Sequence, residues 1–234
     1  MEITHILLAL MGGVLPTCLW LWFWTREDRL HPEPKRLLLL AFLAGGMTVA
    51  IAIPLQHLTR TLLGSNIGAE VIVAWAGIEE VLKYLAALSL ILWRKAVNEP
   101  IDVLIYMLTI ALGFSAVENS LFLINPIMND GIVNTVITGN FRFFGATLLH
   151  LLSSSIIGVS LALSFYKDYS TRVTYTIIGV ILAIVLHAAF NLFILNSDGN
   201  GIIKIFALVW LGIVVLLLFF EKIKQMRILP SNKN

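Results

Sequence analysis

The sequence contains little charge for its length. Asp, Glu, Lys and Arg make up 13% of its 234 residues, whereas these residue types make up about 25% of a soluble domain. Hydrophobic residues make up 59%, and the mean hydropathy is +0.91. The two-residue alternation typical of membrane β-strands is also missing. These absences exclude a soluble globular domain, argue against a β-barrel and indicate an all-α membrane protein.

Long apolar runs occupy most of the chain. Each of seven runs approaches or exceeds the ~20 residues that a helix needs to cross the hydrocarbon core of a bilayer. We therefore predict a single transmembrane domain over residues 1–234, built as a polytopic helical bundle of about seven spans. The predicted spans are approximately 3–24, 37–58, 67–93, 103–125, 144–166, 174–195 and 202–220.

The chain has a single cysteine, Cys18, within the first apolar run. An intrachain disulfide is therefore impossible. A positively charged start is missing too, and the first run is too long for the core of a signal peptide, so this run is predicted to be a membrane span.

The basic residues are distributed unevenly between the two sides of the predicted bundle. Twelve of the 16 Lys and Arg residues fall on one side, three fall on the other, and Lys83 lies within a span. The positive-inside rule then places the N-terminus outside and the C-terminus in the cytoplasm of a multi-pass protein of the cell membrane. The basic tail is interpreted as solvated or facing the lipid bilayer, not as a nucleic-acid site. The twelve are Arg26, Arg29, Lys35, Arg36, Arg94, Lys95, Lys167, Arg172, Lys222, Lys224, Arg227 and Lys233, and the three are Arg60, Arg142 and Lys204.

The segment NPIMNDGIVNTVITGNFR, residues 125–142, is the longest predicted outside segment. Its Gly, Asn and Pro content argues against a continuous helix. We predict a short interfacial piece or a lid at this position.

A small set of polar side chains interrupts spans 3 to 6. Ionisable groups inside a membrane are costly, so they usually face the bundle interior or a water-filled cavity. Their distances from the span ends place them at overlapping depths, roughly 9–18 Å below the outer surface at ~1.5 Å per residue. This agreement favours one functional cluster over scattered packing residues. The members are Glu79, Glu80, Lys83, Glu118, Asn119, His150, His187 and Asn191.

Helical spacing divides the charges of span 3. Lys83 is three residues from Glu80 and four from Glu79, so it can pair with either carboxylate. Adjacent helical residues point about 100° apart, so we expect Glu79 and Glu80 not to face the same partner. Gln56 and His57 lie near the outer end of span 2, where an interfacial position is the favoured interpretation.

The cluster is compatible with two kinds of hydrolysis. A glutamate near a histidine can activate water as a general base, and a histidine with an asparagine can donate hydrogen bonds to an oxyanion. Glutamate with two histidines is also a zinc-binding set, and spacing does not decide between them. A serine nucleophile among residues 153–155 has weaker support, because the sequence has no GxSxG motif.

Four sequence blocks resemble the PrsW family of intramembrane proteases, which belongs with the CAAX prenyl endopeptidase and bacteriocin-processing superfamily. The family pattern is EExxK, FxxxEN, a histidine, and HxxxN or HxxxD, each on its own membrane helix. The third block departs from the commonest form, because leucines follow its histidine. The resemblance places the catalytic core at about 67–195. The matching blocks are IEEVLK (78–83), GFSAVEN (113–119), HLLSSSIIG (150–158) and LHAAFN (186–191).

The resemblance implies a role for each carboxylate. Glu79 and Glu80 would supply the catalytic carboxylate, with Lys83 as their internal partner. Glu118 would be a second carboxylate in the site, with Asn119 beside it.

The resemblance also implies roles for the imidazoles. His150 would orient or deprotonate the attacking water, and His187 with Asn191 would stabilise the oxyanion. Phe114 belongs to the same block as Glu118 and is counted as a supporting residue. A metal-free glutamate mechanism is favoured, so no cofactor is expected. Zinc held by Glu118, His150 and His187 is the alternative.

The implied function is an intramembrane endopeptidase that hydrolyses membrane-anchored proteins. The implied substrate includes an anti-sigma factor, in which the enzyme would make the first cut. A proton- or ion-coupled transporter is the main alternative, because buried Glu, Lys and His also form proton relays. Transporters usually show internal repeats and broken helices, and neither is evident in this sequence. A non-catalytic membrane scaffold on the same fold is the third interpretation.

Overall fold

The structure, a computed structural model, describes residues 3–27, 32–64, 67–197 and 199–226. Throughout these ranges the ordered elements are helical and no strand occurs, which confirms the all-α prediction. Arg29, Arg227 and Lys233, which contributed to the predicted orientation, lie outside the described residues.

Eight α-helices follow one another along the described chain, and a π-helical turn lies on each side of the fifth. Each predicted span coincides with one long helix, and the largest difference at a boundary is five residues, at the end of α2 (58 predicted, 63 observed) and at the start of α7 (174 predicted, 169 observed). The helices are α1 (Ile3–Glu27), α2 (Lys35–Leu63), α3 (Ala69–Leu90), α4 (Pro100–Asn125), α5 (Gly131–Phe141), α6 (Thr147–Leu163), α7 (Tyr169–Leu195) and α8 (Gly199–Lys224). The π turns are Pro126–Asp130 and Arg142–Ala146.

Five stretches of the described chain are long and apolar enough to cross a membrane, so this is a multi-pass membrane protein. One of them, Pro100–Leu163, runs from α4 through α6 and contains two of the predicted spans. α3 is not among the five, because Glu79, Glu80 and Lys83 all lie in its middle. The count of seven spans and the orientation of the termini stay predictions. The five stretches are Ile3–Arg26, Lys35–Leu63, Pro100–Leu163, Tyr169–Leu195 and Gly201–Lys224.

The chain between α4 and α6 does not form one regular helix. Gly131 has a φ of +79°, a left-handed conformation that glycine adopts without steric cost, and the helix is interrupted there. The short helix α5 follows, and none of its residues is buried. This agrees with the interruption predicted from the Gly, Asn and Pro content. The second π turn then leads directly into α6.

α4 is the central helix of the bundle. Twenty of its 26 residues are buried, and α1, α2 and α6 pack against it. A helix that is apolar on all sides is typical of such a buried position. α4 carries Phe114, Glu118 and Asn119, so its neighbours determine what surrounds these side chains.

Two glycines let α2 and α4 approach through their backbones. A Cβ atom on Gly45 would lie 2.0 Å from the carbonyl oxygen of Ile110, and one on Gly113 would lie 1.9 Å from that of Phe42. Small residues permit this kind of close helix packing in membranes. The contact brings the C-terminal half of α2 close to the segment of α4 that carries the site residues.

α7, which carries His187, begins at a capped turn. The Asp168 carboxylate accepts hydrogen bonds from the backbone N–H of Thr171 at 3.0 Å and from its hydroxyl at 2.7 Å. These bonds favour the ionised carboxylate and hold the pKa of Asp168 below its usual value.

We predict that Gly113→Ala destabilises the protein, because the added methyl would collide with the backbone of α2. Overpacking of this kind lowers the free energy of unfolding by about 1–3 kcal/mol. Gly77→Ala in α3 is the matched control, since its Cβ would meet only Ile184 Cδ1, at 3.9 Å. We expect that variant to be neutral or more stable by about 0.5–1 kcal/mol through the loss of a helical glycine.

Thermal unfolding in detergent micelles measures the difference between the two alanine variants. Equal unfolding temperatures for Gly113→Ala and Gly77→Ala would contradict the close packing of α2 on α4.

Candidate active site

Side chains from four helices meet in the interior of the bundle. α3 contributes Glu79, Glu80 and Lys83, α4 contributes Glu118, α6 contributes His150, and α7 contributes His187. Within this cluster Glu118 has the most exposed side chain, at 19%, while the others are buried. The structure therefore brings together the carboxylate and imidazole groups that the sequence predicted to meet.

Glu80 and Lys83 form a fully buried ion pair. The Lys83 Nζ donates to Glu80 Oε1 at 2.6 Å, and neither side chain is exposed. The hydroxyls of Ser153 and Ser154 donate to Oε1 at 2.8 Å and to Oε2 at 2.9 Å. Since both carboxylate oxygens are occupied by donors, Glu80 is held rigidly between α3 and α6.

His187 contacts both glutamates of α3. Its Nδ1 lies 2.8 Å from Glu80 Oε1, and its Nε2 lies 3.6 Å from Glu79 Oε2. The expectation that Glu79 and Glu80 would not face the same partner is therefore wrong. The reason is that an imidazole has two nitrogens on different edges of the ring. One ring can therefore lie against both Glu79 and Glu80, although the two side chains leave the helix about 100° apart.

His150 is oriented by a second carboxylate. Its Nε2 lies 3.0 Å from Glu118 Oε2, and its Nδ1 lies 3.2 Å from the Lys83 Nζ. An ammonium group has only donors, so Nδ1 must accept and the ring proton belongs on Nε2, which donates to Glu118. Arg142, from the π turn before α6, donates to Glu118 in turn.

Glu79 is held on one side only. Gln56 of α2 donates from Nε2 to Glu79 Oε1 at 2.8 Å. The other oxygen, Oε2, is buried and has no hydrogen-bond partner among the described residues. It lies 3.6 Å from His187 Nε2 and 3.9 Å from His150 Nδ1. These separations are too long for direct hydrogen bonds, so the three polar atoms border one small volume.

The same three residues offer a set of metal ligands. One ligand atom from each of Glu79, His150 and His187 lies within 4.8 Å of the others, and this is the only such group found in the described ranges. The zinc site considered from the sequence had Glu118 as its carboxylate ligand in place of Glu79. The structure differs because Arg142 binds Glu118 at the edge of the cluster, while Glu79 points between the two imidazoles.

The supporting residues of α4 take different positions around the cluster. The Phe114 ring packs edge-on against His150 at 5.0 Å between ring centroids, and the Lys83 Nζ lies 4.7 Å from its centroid. Asn119 donates to the Thr147 hydroxyl at 2.9 Å, outside the carboxylate cluster. Asn191, one turn after His187, is half-buried and makes no side-chain hydrogen bond to another described residue.

Sequence reasoning missed four contacts of the cluster. Gln56 was interpreted as interfacial and Arg142 as a residue of the outside segment, yet both reach glutamates of the site. Ser153 and Ser154 bind Glu80 and are not positioned as nucleophiles. Their position one helical turn after His150 was the available signal, whereas nothing in the spacing links Gln56 or Arg142 to these carboxylates.

Comparison with known proteins agrees with this geometry. The family model described as PrsW family intramembrane metalloprotease matches residues 33–220. Curated proteins named Protease PrsW are similar over most of their length. The one from Shouchella clausii is 25% identical over 81% of this chain and 83% of its own. The one from Bacillus subtilis is 23% identical over 82% and 84%, and the one from Geobacillus kaustophilus is 23% identical over 92% and 89%. No solved structure matches the chain.

We predict that Glu80→Ala strongly destabilises the fold. The substitution leaves the Lys83 ammonium buried without its counter-charge, and breaking a buried pair on one side lowers the free energy of unfolding by about 3–5 kcal/mol. The double variant Glu80→Ala/Lys83→Met removes both charges, so we expect it to recover much of that loss.

Thermal unfolding in detergent, compared with wild type and Glu79→Gln, tests this assignment. A Glu80→Ala protein as stable as wild type would show that Glu80 does not anchor the cluster.

Proposed function

Because the chain belongs to the PrsW family of intramembrane metalloproteases, we propose that it hydrolyses peptide bonds of membrane-anchored proteins at Glu79, His150 and His187. The observation that carries the proposal is the free Glu79 Oε2, which faces one nitrogen of each imidazole. The other nitrogen of each ring lies against a carboxylate, Glu118 or Glu80. Both rings are thus oriented toward the same glutamate oxygen.

Glu79 is the proposed general base. A water molecule between Glu79 Oε2 and the imidazoles transfers a proton to the carboxylate while its oxygen attacks the peptide carbonyl. Asn191 donates to the oxyanion of the tetrahedral intermediate. His187 accepts a hydrogen bond from the attacking water through Nε2, because its ring proton is on Nδ1, where Glu80 holds it. The proton on Glu79 then passes to the leaving nitrogen as the C–N bond breaks. The products are a new carboxylate and a new amine.

Glu80 is proposed to act through its neighbours and not as the base. Its oxygens are filled by Lys83, Ser153 and Ser154, so it has little capacity to take a proton from water. It holds the Nδ1–H of His187 and so turns Nε2 toward Glu79. Glu118 performs the equivalent role for His150.

Zinc is an alternative way to activate the water. Glu79, His150 and His187 form a buried set of one carboxylate and two imidazoles, which fits a catalytic zinc site with an open position. These three residues would hold the ion, and it would supply a bound hydroxide at neutral pH. We favour the metal-free reaction because the Lys83 ammonium already lies 3.2 Å from His150 Nδ1.

The proposed substrate is an anti-sigma factor anchored in the membrane by one helix, cut first by this enzyme near its extracytoplasmic side. The family resemblance supports this substrate class. The outer-half depth of the polar groups, inferred from the sequence, supports the side of the cut.

We predict that Glu79→Gln lowers the rate of cleavage of a single-span substrate in proteoliposomes by about 10²–10⁴-fold, the usual contribution of a general base. The amide keeps the shape of the side chain, so the unfolding temperature should change little. Glu70→Gln is the matched control, because Glu70 lies on the same helix but is exposed.

Undiminished cleavage by Glu79→Gln would remove this residue from the reaction. Proton or ion movement by wild-type proteoliposomes, lost in Glu79→Gln, would instead support the transporter alternative.

We predict that cleavage survives dialysis against a strong chelator. The Lys83 ammonium repels a second cation at the neighbouring imidazole nitrogen, so the site should work without an ion. Elemental analysis of the active protein before and after dialysis measures its zinc content. Loss of cleavage that returns with added Zn²⁺, but not with Mg²⁺, would assign the three residues to zinc.

A further inference from the structure

Arg142 lies where the exposed helix α5 joins the catalytic helix α6. It is the first residue of the π turn Arg142–Ala146, and its side chain is 14% exposed. Arg142 and Glu118, like Gln56, are partly exposed members of a polar network whose other side chains are buried. Arg142 therefore lies at an edge of the cluster that is partly exposed at the protein surface.

The guanidinium of Arg142 binds two adjacent residues of α4. One nitrogen donates to Glu118 Oε2, and Nε donates to Asn119 Oδ1 at 2.6 Å. The group also stacks over Phe122, with Cζ 4.0 Å from the ring centroid. A planar guanidinium held by two acceptors and a ring has little freedom to rotate.

Each of the two acceptors leads back to α6. Glu118 accepts the Nε2–H of His150. Asn119 donates to Thr147, one turn before His150 on the same helix, at 2.9 Å. The two arms therefore fix both the His150 ring and the helix turn that precedes it.

The π turn explains how Arg142 comes to share a helix face with His150. Eight residues separate them, which in a regular α-helix would rotate them about 80° apart. A π turn takes up one extra residue, so the spacing becomes equivalent to about seven residues, or two α-helical turns. Arg142 and His150 then both face α4.

We infer that Arg142 is a positioning residue for the proposed hydrolysis, because it holds Glu118 where that carboxylate accepts the Nε2–H of His150 and turns Nδ1 toward Glu79. The inference rests on the proposed function for its catalytic meaning. Its structural content, the hydrogen bond from His150 Nε2–H to Glu118, does not depend on that function.

The test combines kinetics with ¹⁵N NMR of histidine-labelled protein. Arg142→Gln, Arg142→Lys, Glu118→Gln and the double variant Arg142→Gln/Glu118→Gln are compared in proteoliposomes and micelles. The His150 resonances are identified by their loss in His150→Asn. Arg94→Gln is the control, since Arg94 also stacks on an aromatic ring, Trp93, and is not among the residues of the site.

We expect Arg142→Gln to lower kcat by about 10–100-fold, the usual effect of losing a group that orients a catalytic histidine, with KM changed less than about twofold. Arg142→Lys should retain part of the activity, because a cation remains beside Glu118. The double variant should be no slower than Glu118→Gln alone, since both changes remove the same link. The Nε2–H resonance of His150 should show a hydrogen bond to Glu118 in wild type that is weakened in Arg142→Gln, while the ring keeps the Nε2–H tautomer because Lys83 still donates to Nδ1.

Three results would overturn the inference. These are a His150 Nε2–H resonance unchanged in Arg142→Gln, a raised KM with unaltered kcat, and losses that multiply in the double variant. The last two would mean that Arg142 contacts the substrate directly. If wild-type protein cleaves no substrate, the proposed function fails, while the NMR comparison still decides whether Arg142 maintains the hydrogen bond between His150 and Glu118.

Discussion

The fully buried ammonium group of Lys83 is the constraint from which the rest of the site follows. The desolvated ammonium of Lys83 requires a counter-charge, and Glu80 supplies it on the same helix at 2.6 Å. The paired carboxylate still has acceptor capacity that must be filled. Ser153, Ser154 and His187 fill it, and in doing so they join α3 to α6 and α7.

The same arrangement occurs a second time at the edge of the cluster. Arg142 binds Glu118, and Glu118 binds His150. Two chains of cation, carboxylate and imidazole therefore converge on the oxygen of Glu79 that has no partner of its own among the described residues. Since each imidazole is held at its far nitrogen, the rings are oriented before any substrate arrives, which is the condition for efficient water activation.

The scaffold makes this convergence possible through close contacts of α4. Backbone contact at Gly45 and Gly113 brings α2 against α4, and Gln56 in the C-terminal half of α2 then reaches Glu79. The π turn before α6 gives Arg142 its direction toward α4. The family match over residues 33–220 covers α2 to α7 and most of α8, and it leaves out α1 and the end of α8.

Helix positions, membrane character and the membership of Glu79, Glu80, Glu118, His150 and His187 in one cluster were determined by the sequence. The length of an apolar run and the cost of burying a charge depend on residues that are close together in the sequence. Both can therefore be recognised from the sequence alone. The pairing of each imidazole nitrogen with a particular carboxylate was decided only by the tertiary structure. These contacts depend on the rotation of each helix about its axis. A π turn changes that rotation by about 100°, the angle of one residue, and the hydrophobic periodicity of the sequence does not reveal it.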